Sequence, residues 1–151
     1  ALKLIKEGKS GEEIKEILEN DALNSSIYIT VQDLKYLKRG GRIPPAVAAI
    51  GGLLGIKPVL KLSTNGIEKE GITRTLRKAY LSTLDEFAKV KDLDLYEIHI
   101  IEFDSMKICK EIKKAAEEKF PNLPVYITPM SINVCAHTGP GTFGVGLVLK
   151  V

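Results

Sequence analysis

Tryptophan is absent from this sequence of 151 residues, and aromatic residues make up only 6% of it. Proteins that bind single-stranded nucleic acid stack the bases on aromatic side chains, so this scarcity argues against such a module. The net charge of +3 is too small to indicate a nucleic-acid partner by itself. We therefore expect no nucleic-acid partner. If the protein did bind RNA, which is the alternative, its binding would depend steeply on the salt concentration.

Cysteine is scarce as well. The two cysteines, Cys109 and Cys135, are too few for a disulfide framework and fit a reducing compartment, so we expect a cytoplasmic protein. The histidines and cysteines lack the close paired spacing of a structural zinc site, and we expect no metal. Cys135 follows an apolar residue and is expected in the core.

A long hydrophobic run is also missing. The longest apolar stretch, Ile43 to Ile56, is broken by prolines and glycines and is shorter than the roughly 20 residues of a membrane span. We expect neither a membrane span nor a signal peptide. The chain starts with Ala1 rather than Met and has the character of a helix there, which we interpret as a piece of a longer protein.

The hydrophobic pattern predicts an α+β two-layer sandwich, with a mostly antiparallel sheet and helices packed on it. Thr30 is expected to cap the second helix, and Asn65-Gly66 is a strong signal for a hairpin turn. The predicted helices are 2–20 (interrupted between 8 and 11), 30–38, 46–54, 72–90 and 105–120, and the predicted strands are 27–30, 56–62, 67–69, 95–103, 125–128 and 144–151.

Acidic residues are missing from two segments, 34–67 and 119–151, which hold eight of the 22 lysines and arginines and none of the 19 acidic residues. Chance in an apolar composition is one explanation. The other is that both segments border a single site for an anion, where a carboxylate would oppose binding.

The segment 137–146 contains Gly-x-Gly-x-x-Gly. A dinucleotide-binding loop must open a helix, yet the residues that follow are typical of a terminal strand. What remains is a glycine-rich turn that carries the His137 imidazole and the Thr138 hydroxyl, with Gly139 and Gly141 allowing a close approach of the backbone or an anion-binding nest. A structural loop histidine is the alternative.

A second basic segment runs from Tyr36 to Arg42. A solvated helix end explains most of its cations. Arg42 is different, because it follows Gly40-Gly41 and precedes Ile43, which is expected to be buried.

Four segments, TVQDLKYLKRGGRI (30–43), LGIKPVL (54–60), RTLRKA (74–79) and HTGPG (137–141), resemble the DegV-like fatty-acid-binding proteins in order and spacing. The resemblance implies a connecting helix at 1–25 and a carboxy-terminal lipid-binding domain at 26–151, with the amino-terminal domain and its hydroxyl ligands absent. It implies a long-chain fatty acid as the ligand and no cofactor. The implied contacts to the fatty acid are His137 on the carboxylate side, Thr138, Gly139 and Gly141 in the same loop, and Gly41 and Arg42 near the head group. Phe143, larger than its counterparts, is expected to narrow the site.

The resemblance also implies a partner, a dihydroxyacetone-kinase-like fatty acid kinase that phosphorylates the bound carboxylate. Catalysis then belongs to the kinase and not to this chain. We expect Arg74, Arg77 and Lys78, on the first turns of the helix at 72–90, to bind an acidic patch of the kinase, because the helix dipole disfavours cations there; an ordinary solvated helix face is the alternative. The alternative function is a small-molecule kinase or hydrolase that uses His137 as a general base, although no second titratable group adjoins His137 in the sequence.

Overall fold

A six-stranded sheet forms the centre of the computed structural model, which describes residues 1–22, 24–43, 47, 55–63 and 66–150. The strands are β1 (Ser26–Thr30), β2 (Lys57–Ser63), β3 (Gly66–Thr73), β4 (Tyr96–Phe103), β5 (Val125–Pro129) and β6 (Thr142–Leu149). They lie in the order β3-β2-β1-β6-β4-β5, and all neighbours are antiparallel except β4 and β5. The prediction of a mostly antiparallel sheet is therefore confirmed.

The helices cover both faces of this sheet. The helices whose bounds lie within the described residues are α1 (Leu2–Lys6), α2 (Gly11–Ala22), α3 (Lys35–Arg39), α4 (Leu76–Phe87), α5 (Met106–Lys119) and α6 (Ile132–Thr138), with a 3-10 turn at Leu93–Leu95. The long helices α4 and α5 lie on one face, and the short helix α3 packs on the other.

Alternation along the strands separates two cores. In β1, Tyr28 points to the larger core, where it meets Phe87 of α4 in an edge-on ring contact with centroids 5.7 Å apart. Its neighbour Ile29 points to the opposite face and joins the smaller core with Leu37 of α3 and Leu60 of β2. Successive strand residues face opposite sides, so one strand contributes to both cores.

The first helix of the sequence prediction is indeed interrupted. Gly8 adopts a φ of +79° after α1. Ser10 and Glu13 then form a reciprocal cap at the start of α2, with the Ser10 amide N–H donating to Glu13 Oε2 at 2.8 Å. Both helices precede β1 in the chain.

Two predicted helix starts are wrong. Thr30 caps no helix, because it pairs with Val59 of β2 and Phe143 of β6 and stays in the sheet; α3 begins five residues later. The helix predicted at 72–90 begins at Leu76, because Ile72 belongs to β3 and pairs with Pro58 of β2. These strand pairings join residues that are distant along the chain, so a pattern among neighbouring residues does not predict them.

The glycine-rich segment also differs from its prediction. Helix α6 was not predicted, and β6 begins at Thr142 rather than at residue 144. Phe143 is 1% exposed and belongs to the larger core, so it does not narrow the candidate site as expected. The helix predicted at 46–54 lies outside the described residues except for Val47, which is buried in the smaller core.

Candidate functional site

The two acid-free segments meet where α3 contacts α6. A Cβ atom on Gly40 would lie 2.2 Å from His137 Nδ1, and one on Gly139 would lie 2.2 Å from Cδ2 of the Tyr36 ring. Both glycines therefore admit a neighbouring ring where a side chain would stand. We call this region, consisting of Tyr36, Gly40, Gly41, Arg42, His137 and Gly139, the α3–α6 corner.

A tight turn at the end of α3 places Arg42 in the corner. Gly41 has a φ of +66°, a conformation that glycine adopts without strain, and the Arg42 amide N–H donates to Leu37 O at 2.9 Å. Arg42 Nη1 donates to Gly40 O at 2.6 Å. The side chain is exposed, so the guanidinium keeps other N–H groups for a ligand.

His137 lies at the penultimate position of α6 and is half-buried. Its ring faces Gly40 through the Nδ1 edge, so the Nε2 edge points away from that contact. Neither ring nitrogen makes a hydrogen bond to another residue in the part of the chain that the structure describes. The imidazole therefore has donor capacity available for a ligand.

Thr138 contributes differently from what the sequence predicts. Its side chain is buried, and its hydroxyl donates to Val134 O at 2.9 Å within α6. Its carbonyl oxygen accepts a hydrogen bond from Thr142 Oγ1 at 3.1 Å. The hydroxyl proton is thus already in use, and Thr138 connects α6 to β6 in this structure.

The glycines of the loop do not form an open nest. The Gly139 amide N–H donates to Cys135 O at 2.9 Å, and that of Gly141 donates to Phe103 O at 2.9 Å. The Gly41 amide N–H likewise donates to a carbonyl oxygen of α3, at 3.2 Å. These amides are not free to bind an anion, so the glycines contribute conformation and close packing instead.

Several cations of the acid-free segments lie elsewhere. Lys119 pairs with Asp85, and Lys150 Nζ donates to Asp94 O at 2.8 Å. Lys35 Nζ lies 2.8 Å from Asp33 Oδ2, and this side-chain hydrogen bond, followed by one from the Lys35 amide, lowers the pKa of Asp33. These three lysines do not lie in the corner, whose basic side chains are those of Arg42 and His137.

Apolar side chains lie beneath α3, next to the corner. The smaller core consists of Ile29, Val31, Leu37, Val47 and Leu60. Around these lie Ile27, Leu34, Ile43 and Ile67, which are only partly buried. Polar donors and an apolar surface therefore adjoin each other here.

A groove of about 740 Å³ begins on the other side of the glycine-rich loop, at Gln32 and Gly141. Three carboxylates, Glu102, Asp104 and Glu111, and one lysine, Lys107, are among the residues that line it. The excess of negative charge disfavours an anion in this groove.

Comparison with known proteins confirms the family that the four sequence segments resemble. The profile of the DegV family, described as a family of uncharacterised proteins, matches residues 1–150. A DegV domain-containing protein of Lactococcus lactis is 33% identical over 145 residues, which cover 95% of this chain and 50% of that protein. The chain belongs to the DegV family.

Solved structures of DegV proteins share the fold. That of DegV from Bacillus subtilis, a fatty acid binding protein, matches with a TM-score of 0.79 and 30% identity, over 98% of this chain and 53% of that one. A stearic acid-binding protein from Eubacterium ventriosum matches with a TM-score of 0.86 and 27% identity, over 98% of this chain and 52% of that one. The chain spans about half the length of the curated relatives it matches.

The basic residues at the start of α4 are arranged differently from the prediction for this DegV chain. Arg74 precedes the capping residue Thr75, whose Oγ1 accepts a hydrogen bond from the Lys78 amide at 3.2 Å. Arg74 therefore lies before the helix, and only Arg77 and Lys78 lie in its first turn. All three cations, including Arg77, are exposed, and none forms a salt bridge with another described residue.

No metal centre is present among the residues that the structure describes, where no group of three or more His, Cys, Asp and Glu side chains is suited to a metal ion. Cys109 is buried, which raises the pKa of its thiol, whereas Cys135 is only half-buried and not fully in the core as predicted. In the same described part of the chain, no helix has the length and apolar character needed to cross a membrane.

The sequence patterns do not predict Tyr36 and Gly40 as members of the corner. Paired glycines are typical of a helix end, which explains Gly41 but not Gly40. Only contact between α3 and α6 reveals the role of either residue. The glycine-rich sequence does predict that another group lies close to the backbone at Gly139, but it does not identify that group as the ring of Tyr36.

Proposed function

We propose that the chain is the lipid-binding part of a cytoplasmic fatty-acid carrier and has no catalysis of its own. The observation that carries the proposal is the surroundings of His137 in the α3–α6 corner. Its imidazole has no hydrogen-bond partner among the described residues, and it packs on Gly40, whose carbonyl oxygen holds Arg42. The fatty acid binding of the Bacillus subtilis relative and the stearic acid binding of the Eubacterium ventriosum protein support it.

The corner suits a carboxylate followed by an acyl chain. A guanidinium and an imidazole donate charge-assisted hydrogen bonds to carboxylate oxygens. The partly buried side chains of Leu34 and Ile43 lie beside α3, and burying an acyl chain against such a surface contributes about 0.8 kcal/mol for each methylene. One end of a fatty acid is thus matched by polar groups and the other by apolar ones.

We propose that a second, amino-terminal domain completes the site. The chain covers about half of each relative, and the hydroxyl of Thr138 already donates within α6. The resemblance assigns carboxylate-binding hydroxyls to the amino-terminal domain. In the complete protein, residues 1–25 would then connect that domain to the lipid-binding domain at 26–151.

The partner in this proposal is a dihydroxyacetone-kinase-like fatty acid kinase, which phosphorylates the presented carboxylate. We propose that Arg74, Arg77 and Lys78 bind an acidic patch of the kinase. They are exposed and have no acidic partner among the described residues. The helix dipole disfavours Arg77 and Lys78, which lie in the first turn of α4. A protein partner would offset that local cost.

No observation favours an enzyme that uses His137 as a general base. A general base needs a positioned partner, and within the described residues no titratable side chain is hydrogen-bonded to His137. The other histidine, His99, pairs with Glu97 at 2.8 Å on β4. That pair belongs to another part of the sheet.

Lipid extraction of the complete protein, followed by mass spectrometry, tests the proposal. We expect a long-chain fatty acid to copurify. His137→Ala is expected to weaken fatty-acid binding roughly ten- to a hundred-fold, the effect of one hydrogen bond to a charged group, without unfolding the protein. His99→Ala is the matched control and should leave the affinity unchanged. A clean extract together with no uptake of labelled fatty acid would refute the carrier function.

A further inference from the structure

Gly40 has a backbone conformation that any residue can adopt. It ends α3 with φ −79° and ψ −2°, in the right-handed helical region. The next residue, Gly41, has a φ of +66°. The conformational freedom of glycine is therefore needed at position 41 and not at position 40.

Space explains why position 40 has no side chain. The three atoms nearest to the place of its missing Cβ all belong to the imidazole of His137: Nδ1 at 2.2 Å, Cε1 at 3.1 Å and Cγ at 3.2 Å. A Cβ atom cannot stand 2.2 Å from a ring nitrogen, so alanine at position 40 would force the imidazole to move. The ring occupies the volume that Gly40 leaves open, and this contact turns its Nδ1 edge inward.

The same residue also contacts Arg42. The carbonyl oxygen of Gly40 accepts a hydrogen bond from Arg42 Nη1 at 2.6 Å, and this bond is charge-assisted. Gly40 thus touches the imidazole on one side and holds the guanidinium on another. The Arg42 and His137 side chains come from distant parts of the chain, and Gly40 is their common neighbour.

We propose that Gly40 is a positioning residue of the α3–α6 corner, which directs the Nε2 edge of His137 toward the ligand and places the guanidinium of Arg42 beside it. The inference rests on the proposed function, because it assigns Gly40 a role in the same carboxylate site. Gly40 acts through these two side chains and does not itself bind the ligand.

A double-mutant cycle on the 151-residue chain tests the contact without any lipid. Gly40→Ala is expected to lower the melting temperature in the native background and to change it little in the His137→Ala background, where the space for a Cβ atom is available. Gly11→Ala is the control, because nothing lies within 4 Å of the Cβ that it adds and its φ is ordinary. An equal loss from Gly40→Ala in both backgrounds would overturn the proposal.

Imidazole NMR resonances give a readout that a general loss of stability does not move. The chain has two histidines, and the His137 signals are those that disappear in His137→Ala. We expect Gly40→Ala to shift the His137 signals in the folded protein and to leave those of His99 in place. Unchanged His137 signals would contradict the proposal.

The link to binding is measured on the complete protein. Gly40→Ala is expected to weaken fatty-acid binding about as much as His137→Ala, roughly ten- to a hundred-fold, and the double variant should lose little more. Independent, additive losses would show that Gly40 does not act through His137. If the complete protein binds no fatty acid, the proposed function fails, while the melting temperatures and the NMR signals still decide whether Gly40 positions His137.

Discussion

The ring of Tyr36 lies in the space where a side chain on Gly139 would stand, with Cδ2 2.2 Å and Cε2 2.5 Å from the position of the missing Cβ. Gly139 also has φ +77° and ψ 170°, a region of backbone conformation that is essentially restricted to glycine. Steric contact and backbone conformation therefore both require glycine at this position. The pair joins α3 to the end of α6.

Gly139→Ala is expected to destabilise the chain, because it adds backbone strain of about 1–3 kcal/mol and a clash with Tyr36. Urea-induced unfolding of the 151-residue chain measures the effect. Gly144→Ala is the control, since the nearest atom to its added Cβ lies at 3.5 Å, an ordinary contact. Similar midpoints for the two variants would show that Tyr36 does not pack on Gly139.

The Asp33–Lys35 pair predicts a pH dependence of stability near α3. The side-chain and backbone hydrogen bonds from Lys35 lower the pKa of Asp33 below its ordinary value of 3.8 in the folded state. The pair therefore stabilises the fold above the pKa of the unfolded chain, and this contribution is lost as the pH falls through the folded pKa. Asp33→Asn should lower the free energy of unfolding at about pH 6 and lower it less at about pH 3, which lies below the ordinary pKa.

Unfolding curves at both pH values check this prediction. Asp21→Asn provides the comparison, because Asp21 forms no salt bridge with another described residue. A loss from Asp33→Asn that stays the same at both pH values would mean that the ion pair is not its cause.

The 151-residue chain alone is expected to fold but to bind fatty acid poorly. The hydroxyl of Thr138 already donates within α6, and the partly buried side chains beside α3 form an apolar wall on this chain alone. Isothermal titration with the same fatty acid compares the chain with the complete two-domain protein. Equal affinities would contradict a site shared between two domains.

Charge reversal at the start of α4 tests the kinase-binding surface. Charges at the rim of an interface mainly set the association rate and its salt dependence. Arg74→Glu combined with Arg77→Glu should therefore slow the formation of acyl phosphate at low salt and leave fatty-acid binding intact.

The control for this experiment is Lys110→Glu combined with Lys114→Glu, which makes the same change of charge at two exposed positions of α5. If the Arg74 and Arg77 reversals leave the phosphorylation rate unchanged at low salt, the kinase binds elsewhere. If both double variants slow it equally, net charge rather than a defined surface controls the encounter.

Much of the secondary structure follows from local sequence. Alternation and turn residues correctly predict the hairpin of β2 and β3, the strand β4 and the helix that follows Ser105. These elements are predictable because their hydrophobic periods and caps lie within a few residues of one another. Helix α6 was missed, because glycines in the same segment favour a turn.

The sequence by itself determined the mostly antiparallel α+β class, the resemblance to the DegV family, and His137 and Arg42 as candidate ligands. Only the tertiary structure decided how they are arranged. It showed that Lys119 and Lys150 pair with other elements, that the loop amides are already donating, and that Phe143 lies in the core. It also brought Gly40 against His137, a contact between residues 97 positions apart along the chain. Packing between α3 and α6 creates this contact. The residues next to a glycine in the sequence do not predict which distant side chain occupies the space beside it.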